Sequence, residues 1–107
     1  MEQFQAFVQE CISNEATDNK VLRNDIYDYY SSWRGREENL IGGKPYIMEN
    51  GEYARESNGE LFIIERVCKY GKIIGRPKFY ELLISEFGEP PIINNKTKQY
   101  KYFLKFK

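Results

Sequence analysis

The sequence contains no histidine and only two cysteines, Cys11 and Cys68, which lie far apart in separate apolar segments. Two thiols without an imidazole cannot complete an ordinary four-ligand zinc site. The absence of histidine also removes the commonest general base, and no base that would activate the hydroxyls of Ser31 and Ser32 can be identified. We therefore expect no metal, no cofactor and no enzymatic activity, and we interpret both cysteines as small buried hydrophobic residues.

Long apolar runs are also absent, since none approaches the roughly 18 to 20 residues that a helix needs to span a bilayer. The N-terminus is amphipathic, whereas a signal peptide has a basic region followed by an apolar block. These absences predict an intracellular protein with no membrane partner. A disulfide between the two cysteines has no support in such a chain.

The sequence is instead rich in aromatic residues, which make up 16% of its 107 residues and include nine tyrosines and seven phenylalanines. Disordered chains are poor in aromatic residues, so this content predicts a folded protein. The length is that of one domain, and the sequence shows no repeat, linker or low-complexity tract. We therefore predict a single domain over residues 1–107.

The net charge is zero, but the charges are unevenly distributed along the chain. Residues 1–65 carry six basic and thirteen acidic groups, whereas residues 66–107 carry ten basic and three acidic groups. This asymmetry suggests a polyanionic partner for the basic part. The plain alternative is a solvated lysine-rich strand end that binds nothing.

Apolar residues that recur with a helical period predict two helices in the first third of the chain. The first covers residues 2–13. The second runs from Asp25 to about Arg34, with Asn24 as its N-cap. Its predicted core residues are Ile26, Tyr27, Tyr30 and Trp33. Tyr29 is expected to be exposed, and Val21 and Leu22 form a possible short strand before the helix.

The middle of the chain begins with a predicted loop over residues 35–45. A β-hairpin is predicted over residues 45–54, because Asn50-Gly51 between two strand-like runs is typical of a type I′ turn.

The segment that follows is ambiguous between a strand and a helix. Phe62 and Ile63 favour a strand. However, Ser57 and Glu60 have the spacing of a capping box, and the apolar residues beyond them also fit a helical stripe. We predict a helix over residues 58–70.

The last thirty residues predict a helix followed by a β-hairpin. Pro77 suits the first turn of a helix over residues 77–87, and Gly88 suits its end. Ile92-Ile93 and the alternating residues 100–106 predict two strands, with a polar basic loop over residues 94–99. The predicted fold class is α+β, a winged helix-turn-helix with an inserted β-hairpin and an extra helix in the middle of the chain.

Parts of this pattern resemble the winged-helix domain at the C-terminus of viral and phage primase-helicases of the poxvirus and satellite-phage types. The residues that carry the resemblance are Phe7, Val8, Cys11, Val21, the run from Asp25 to Tyr30, Trp33, Phe79, Leu82, Leu83, Phe87, Gly88 and the run from Tyr100 to Lys105. The resemblance covers residues 4–33 and 76–107.

The resemblance implies a DNA-binding, replication-associated module that favours duplex DNA. The chain lacks the phosphate-binding GxxxxGK[ST] motif of a helicase motor. A helicase or another replication protein is therefore an implied partner. If the protein is viral, its location would be the host cytoplasm.

The candidate DNA contacts are basic or polar residues around the last helix and in the wing. Those expected to bind DNA are Lys69, Lys72, Arg76, Lys78, Tyr80, Ser85, Lys96, Lys98 and Lys101. A strong recognition helix usually carries Arg, Asn or Gln, whereas the predicted one carries Glu81 and Glu86, which repel phosphate. We therefore predict little base reading by this helix and mainly electrostatic binding by the basic turn and the wing, through about four to six phosphate contacts. The alternative is a protein-interaction module that works through the hairpin over residues 45–54 and the acidic first half.

Overall fold

The computed structural model describes residues 2–42 and 67–107 in full, and between them the backbone of residues 46–47, 53–57 and 60–63. The chain forms two compact units. We call Met1–Trp33 with Lys72–Lys107 the helical unit, and Arg34–Gly71 the inserted unit. The prediction of one domain over residues 1–107 stays a prediction.

The described elements, in chain order, make an α+β protein. They are α1 (Gln3–Cys11), β1 (Lys20–Leu22), α2 (Arg23–Arg34), a 3-10 turn (Glu37–Asn39), β2 (Leu40–Ile41), β3 (Tyr46–Ile47), β4 (Tyr53–Ser57), β5 (Glu60–Ile63), β6 (Val67–Cys68), α3 (Arg76–Phe87), β7 (Ile92–Asn94) and β8 (Gln99–Phe103). None of the described helices is both long and apolar enough to cross a bilayer.

The three helices lie where the apolar periodicity predicts them, with shifted ends. Gly88 ends α3 with a φ of 83°, in the left-handed region that glycine adopts without steric cost, and its amide bonds to the carbonyl of Ile84. The N-cap prediction for α2 was wrong. This helix already begins at Arg23, so Asn24 lies inside its first turn and its side chain bonds to Tyr80 instead.

The sheet of the helical unit is antiparallel, with strand order β1-β8-β7. Tyr102 pairs with Val21 of β1, and Tyr100 pairs with Ile93 of β7, which places these four residues on one face of the sheet. Tyr102 is buried on this face and donates a hydrogen bond of 2.9 Å to the carbonyl of Gly88 at the end of α3. The face that carries Tyr102 therefore packs against the helices.

Beyond β8, the chain continues along the end of α1. Ile12 and Phe106 form an isolated β-bridge, and the amide of Ser13 bonds to the carbonyl of Lys105 at 2.9 Å. Tyr29 stacks on Phe106, with ring centroids 4.0 Å apart and planes within 4°. The prediction that Tyr29 is exposed was wrong, because the C-terminal segment partly covers it.

Aromatic rings from all three helices fill the core of the helical unit. Phe79 of α3 is fully buried and stacks on Tyr30 of α2, with ring centroids 4.8 Å apart. Phe7 of α1 packs edge-on against both Tyr30 and Trp33 at about 5.5 Å. The predicted core residues Ile26, Tyr30 and Trp33 are confirmed as buried. The fourth, Tyr27, is half-buried, and its hydroxyl donates to the carbonyl of Ile74.

The inserted unit contains two small antiparallel sheets in its described part, β2-β6 and β3-β4-β5. The predicted hairpin over residues 45–54 is confirmed as the pair β3–β4, whereas its Asn50-Gly51 turn lies outside the described residues. The predicted loop over residues 35–45 also contains a 3-10 turn and the strand β2.

The predicted helix over residues 58–70 was wrong, because the described parts of this segment are the strands β5 and β6. Ser57 pairs with Glu60 across the β4–β5 ladder, so the three-residue spacing read as a capping box belongs to a hairpin. The dipeptide between them is Asn58-Gly59, the same hairpin signal that identified the preceding turn.

Candidate nucleic-acid interface

Arg76 begins α3 and is held by residues of both α2 and α3. One nitrogen, Nη2, forms an ion pair of 3.3 Å with Asp28, and Nη1 donates a hydrogen bond of 3.3 Å to the hydroxyl of Tyr80. The guanidinium also lies 4.5 Å from the centroid of the Tyr27 ring. The hydrogen bond to Tyr80, aided by the Asp28 carboxylate, raises the pKa of Arg76 above its ordinary value, so this group stays cationic. Two of the roughly five N–H donors of this guanidinium therefore have partners within the protein.

The exposed face of α3 carries little net charge. Lys78 lies 3.8 Å from the carboxylate of Glu81, one helical turn further on. Both side chains are about 70% exposed, so the pair contributes little stability but partly neutralises the field of the lysine. Ser85 is exposed on the same helix. Direct base reading by this face would depend on Lys78 and Ser85, with Glu81 opposing the approach of phosphate.

Tyr80 connects α3 to the start of α2. Its hydroxyl donates a hydrogen bond to Oδ1 of Asn24 while it accepts the bond from Arg76. Its ring also lies under the guanidinium of Arg23, 4.2 Å from the ring centroid. Tyr80 is half-buried, its ring packs against Arg23, and its hydroxyl bonds to Asn24 and Arg76. It therefore positions these neighbours and does not offer a free ring face for stacking on a base.

We call the loop between β7 and β8, residues 95–98, the wing tip, after the role that the sequence analysis predicts for it. The side chain of Asn94 shapes it by accepting hydrogen bonds from the amides of Lys96 at 3.1 Å and Thr97 at 3.3 Å. Lys98 closes the turn with a φ of 54°. Both lysines are exposed, and neither forms an ion pair within the described residues. The wing tip therefore presents two unneutralised positive charges.

Arg23 is the principal residue that the sequence analysis missed. Its guanidinium lies over two aromatic rings, Tyr80 of α3 at 4.2 Å and Tyr100 of β8 at 4.0 Å. Contacts of this kind stabilise by about 0.5 to 2 kcal/mol each, depending on burial. No local signal marks Arg23, because both rings come from distant parts of the chain. The residue joins the root of the wing to α2 and α3.

The remaining predicted contacts do not all belong to this cluster. Lys72 is exposed in the turn before α3, where its carbonyl accepts a hydrogen bond from Gln3. Lys101 pairs with Leu22 and lies on the sheet face opposite to Tyr102. Lys69 belongs to the inserted unit, where its ammonium lies 5.3 Å from the Tyr70 ring.

The uneven charge along the chain does not become two separate charged halves in the fold. The helical unit combines ten basic and nine acidic residues. Ion pairs across this unit join Arg76 to Asp28 and Lys105 to Glu15, the latter at 2.7 Å. Within the described residues, Arg23 and the wing-tip residues Lys96 and Lys98 form no ion pair, and neither do Lys20, Lys72, Lys101 and Lys107.

Comparison of the chain with protein-family models, with curated proteins and with solved structures finds no match.

Proposed function

We propose that the helical unit is a winged-helix module that binds nucleic acid, with duplex DNA as the favoured ligand. Its order of elements, α1-β1-α2-α3-β7-β8, and its strand order β1-β8-β7 are compatible with a winged helix and support this proposal. In that arrangement α3 is the recognition helix and the β7–β8 hairpin is the wing. The inserted unit occupies the connection between the second and third helices. The wider assignment to a viral or mobile-element replication protein, with a helicase as partner, rests on the sequence resemblance alone.

The observation that carries the proposal is the charge of Lys96 and Lys98 at the wing tip, which no described residue pairs, beside an α3 face whose charges are largely paired. Phosphate contacts supply most of the affinity of sequence-independent DNA binding and position the protein on the duplex. The proposed mode is therefore electrostatic docking by the wing and the root of α3, with few base contacts. With about four to six phosphates contacted, log Kd would change with log salt with a slope of about 4 to 5.

A salt series on a random-sequence duplex, measured by fluorescence anisotropy, tests the proposal. Replacement of both wing lysines (Lys96→Glu with Lys98→Glu) should lower the salt slope by about two and weaken binding at low salt at least about tenfold. The matched control reverses two exposed lysines away from the wing (Lys20→Glu with Lys107→Glu). It should change the slope by less than one unit.

Two results would overturn the proposal. One is a wild-type protein that does not bind duplex or single-stranded DNA even at low salt. The other is an equal loss in the wing variant and in the control, because general charge rather than the wing would then explain binding. An unchanged wing variant that still binds a protein partner would instead favour the interaction-module alternative.

A further inference from the structure

We propose that the cavity between the start of α2 and the wing is a phosphate-binding site, with Arg23 as its principal ligand and Lys98 as the second cation. The assignment to a phosphate of a nucleic acid rests on the proposed function. Binding of inorganic phosphate depends only on Arg23 and the cavity.

The state of Arg23 is the first argument. The side chain is half-buried, and its guanidinium packs on the faces of Tyr80 and Tyr100. Within the described residues, however, this guanidinium donates no hydrogen bond and pairs with no carboxylate. Packing on ring faces fixes its orientation and leaves the N–H groups at its edges available. An orientated guanidinium with unused donors suits the two oxygens of a phosphate.

Arg76 shows what an engaged arginine looks like in the same fold. It also packs on a tyrosine ring, but its nitrogens bond to Asp28 and Tyr80. The difference between the two arginines is therefore in their hydrogen bonds and not in their stacking. This contrast indicates that Arg23 has donors available for a ligand.

The cavity is the second argument. It has a volume of about 230 Å³, and Arg23, Asn24, Thr97 and Lys98 contribute polar groups to its lining. Since one water molecule occupies about 30 Å³ of liquid, the cavity has room for a phosphate group with part of its hydration shell. Lys98 adds a second positive charge, and none of the described residues that line the cavity carries a carboxylate. Its position links the wing tip to the helices, where a backbone phosphate of a bound duplex could reach it.

The first experiment is a titration of the full chain with inorganic phosphate at constant ionic strength, followed by NMR. The Nε–H signal of Arg23 and the amide signal of Lys98 should shift and saturate together, whereas the Nε–H signal of Arg76 should not. Arg23→Lys keeps the charge but loses the planar guanidinium that can bind two phosphate oxygens at once, so it should weaken phosphate binding at least about fivefold. The matched control is Arg34→Lys, because the guanidinium of Arg34 already donates to the Gly71 carbonyl. This variant should change the affinity for phosphate less than twofold.

The second experiment separates the possible sources of the phosphate. A blunt duplex is measured with and without 5′-phosphates. If the site takes an internal phosphodiester, Arg23→Lys weakens both ligands equally, and if it takes a terminal phosphate, only the gain from the 5′-phosphate is lost. Melting curves of each variant establish that it is folded.

Phosphate shifts that never saturate, or an Arg23→Lys protein that is folded and binds phosphate like the wild type, would overturn the site. Failure of the proposed function looks different. In that case the wild type would not bind DNA, while inorganic phosphate would still saturate the Arg23 signal.

Discussion

The buried hydroxyl of Tyr30 donates a hydrogen bond of 2.5 Å to Oε1 of Gln3 and so ties α2 to α1. The same hydroxyl accepts a bond of 3.0 Å from the amide of Ile74, and Nε2 of Gln3 donates to the carbonyl of Lys72 at 3.2 Å. Polar groups buried among aromatic rings are costly unless they are paired. This small network therefore satisfies them while it fixes the turn that leads into α3.

Tyr30→Phe should lower the free energy of unfolding by about 1 to 3 kcal/mol, because it removes the hydroxyl and leaves its buried partners unsatisfied. Urea denaturation of the full chain measures this change. The matched control is Tyr100→Phe, since that hydroxyl makes no hydrogen bond within the described residues. It should cost less than about 0.5 kcal/mol. Equal effects of the two changes would show that the network contributes no specific stability.

Glu81→Gln should strengthen duplex binding about two- to fivefold at low salt, because it removes a negative charge from the exposed face of α3 and frees Lys78. The same anisotropy assay measures the gain, which should shrink as salt is raised. Glu86→Gln changes a second glutamate of the same helix, whose carboxylate accepts a hydrogen bond from Gln5 of α1. If the two variants gain equally, the face of α3 that carries Glu81 does not approach the DNA.

Stability should decrease at alkaline pH through Tyr102. Burial, together with the nearby Glu89 carboxylate, raises the pKa of this phenol above its ordinary value of 10.0, against a smaller opposing effect of Arg23. The folded state therefore favours the protonated phenol, so its contribution is fully present below about pH 10 and is lost as the pH rises through the folded-state pKa.

Tyr102→Phe provides the check on this pH dependence. Unfolding free energies measured between pH 8 and pH 11 should fall less steeply for this variant at the alkaline end, and one late step should vanish from the tyrosinate absorbance titration. If the unfolding free energy of the variant falls at alkaline pH as steeply as that of the wild type, other groups cause the loss of stability.

The candidate site could be predicted in part. Lys96 and Lys98 were found because a polar basic loop between two alternating strands is visible in the sequence itself. The sequence did not show which of the basic side chains are paired within the fold. Arg76 is paired with Asp28 of α2 and with Tyr80, four residues further along α3, whereas Arg23 lies on two rings and donates no hydrogen bond within the described residues. Asp28 is distant from Arg76 along the chain, and both rings are distant from Arg23, so the sequence did not reveal this difference.

The sequence by itself determined the three helices, the hairpin after α3 and the turn at Gly88, because apolar period, proline and glycine act within a few residues. It did not determine residues 60–63, where one apolar run satisfies both a helical stripe and a strand. Pairing with β4 decided that choice. Tertiary structure alone decided the pairing of Arg76 with Asp28 and of Lys105 with Glu15, because these partners are distant along the chain. For the same reason, it alone placed Arg23 on the rings of Tyr80 and Tyr100 at the root of the wing.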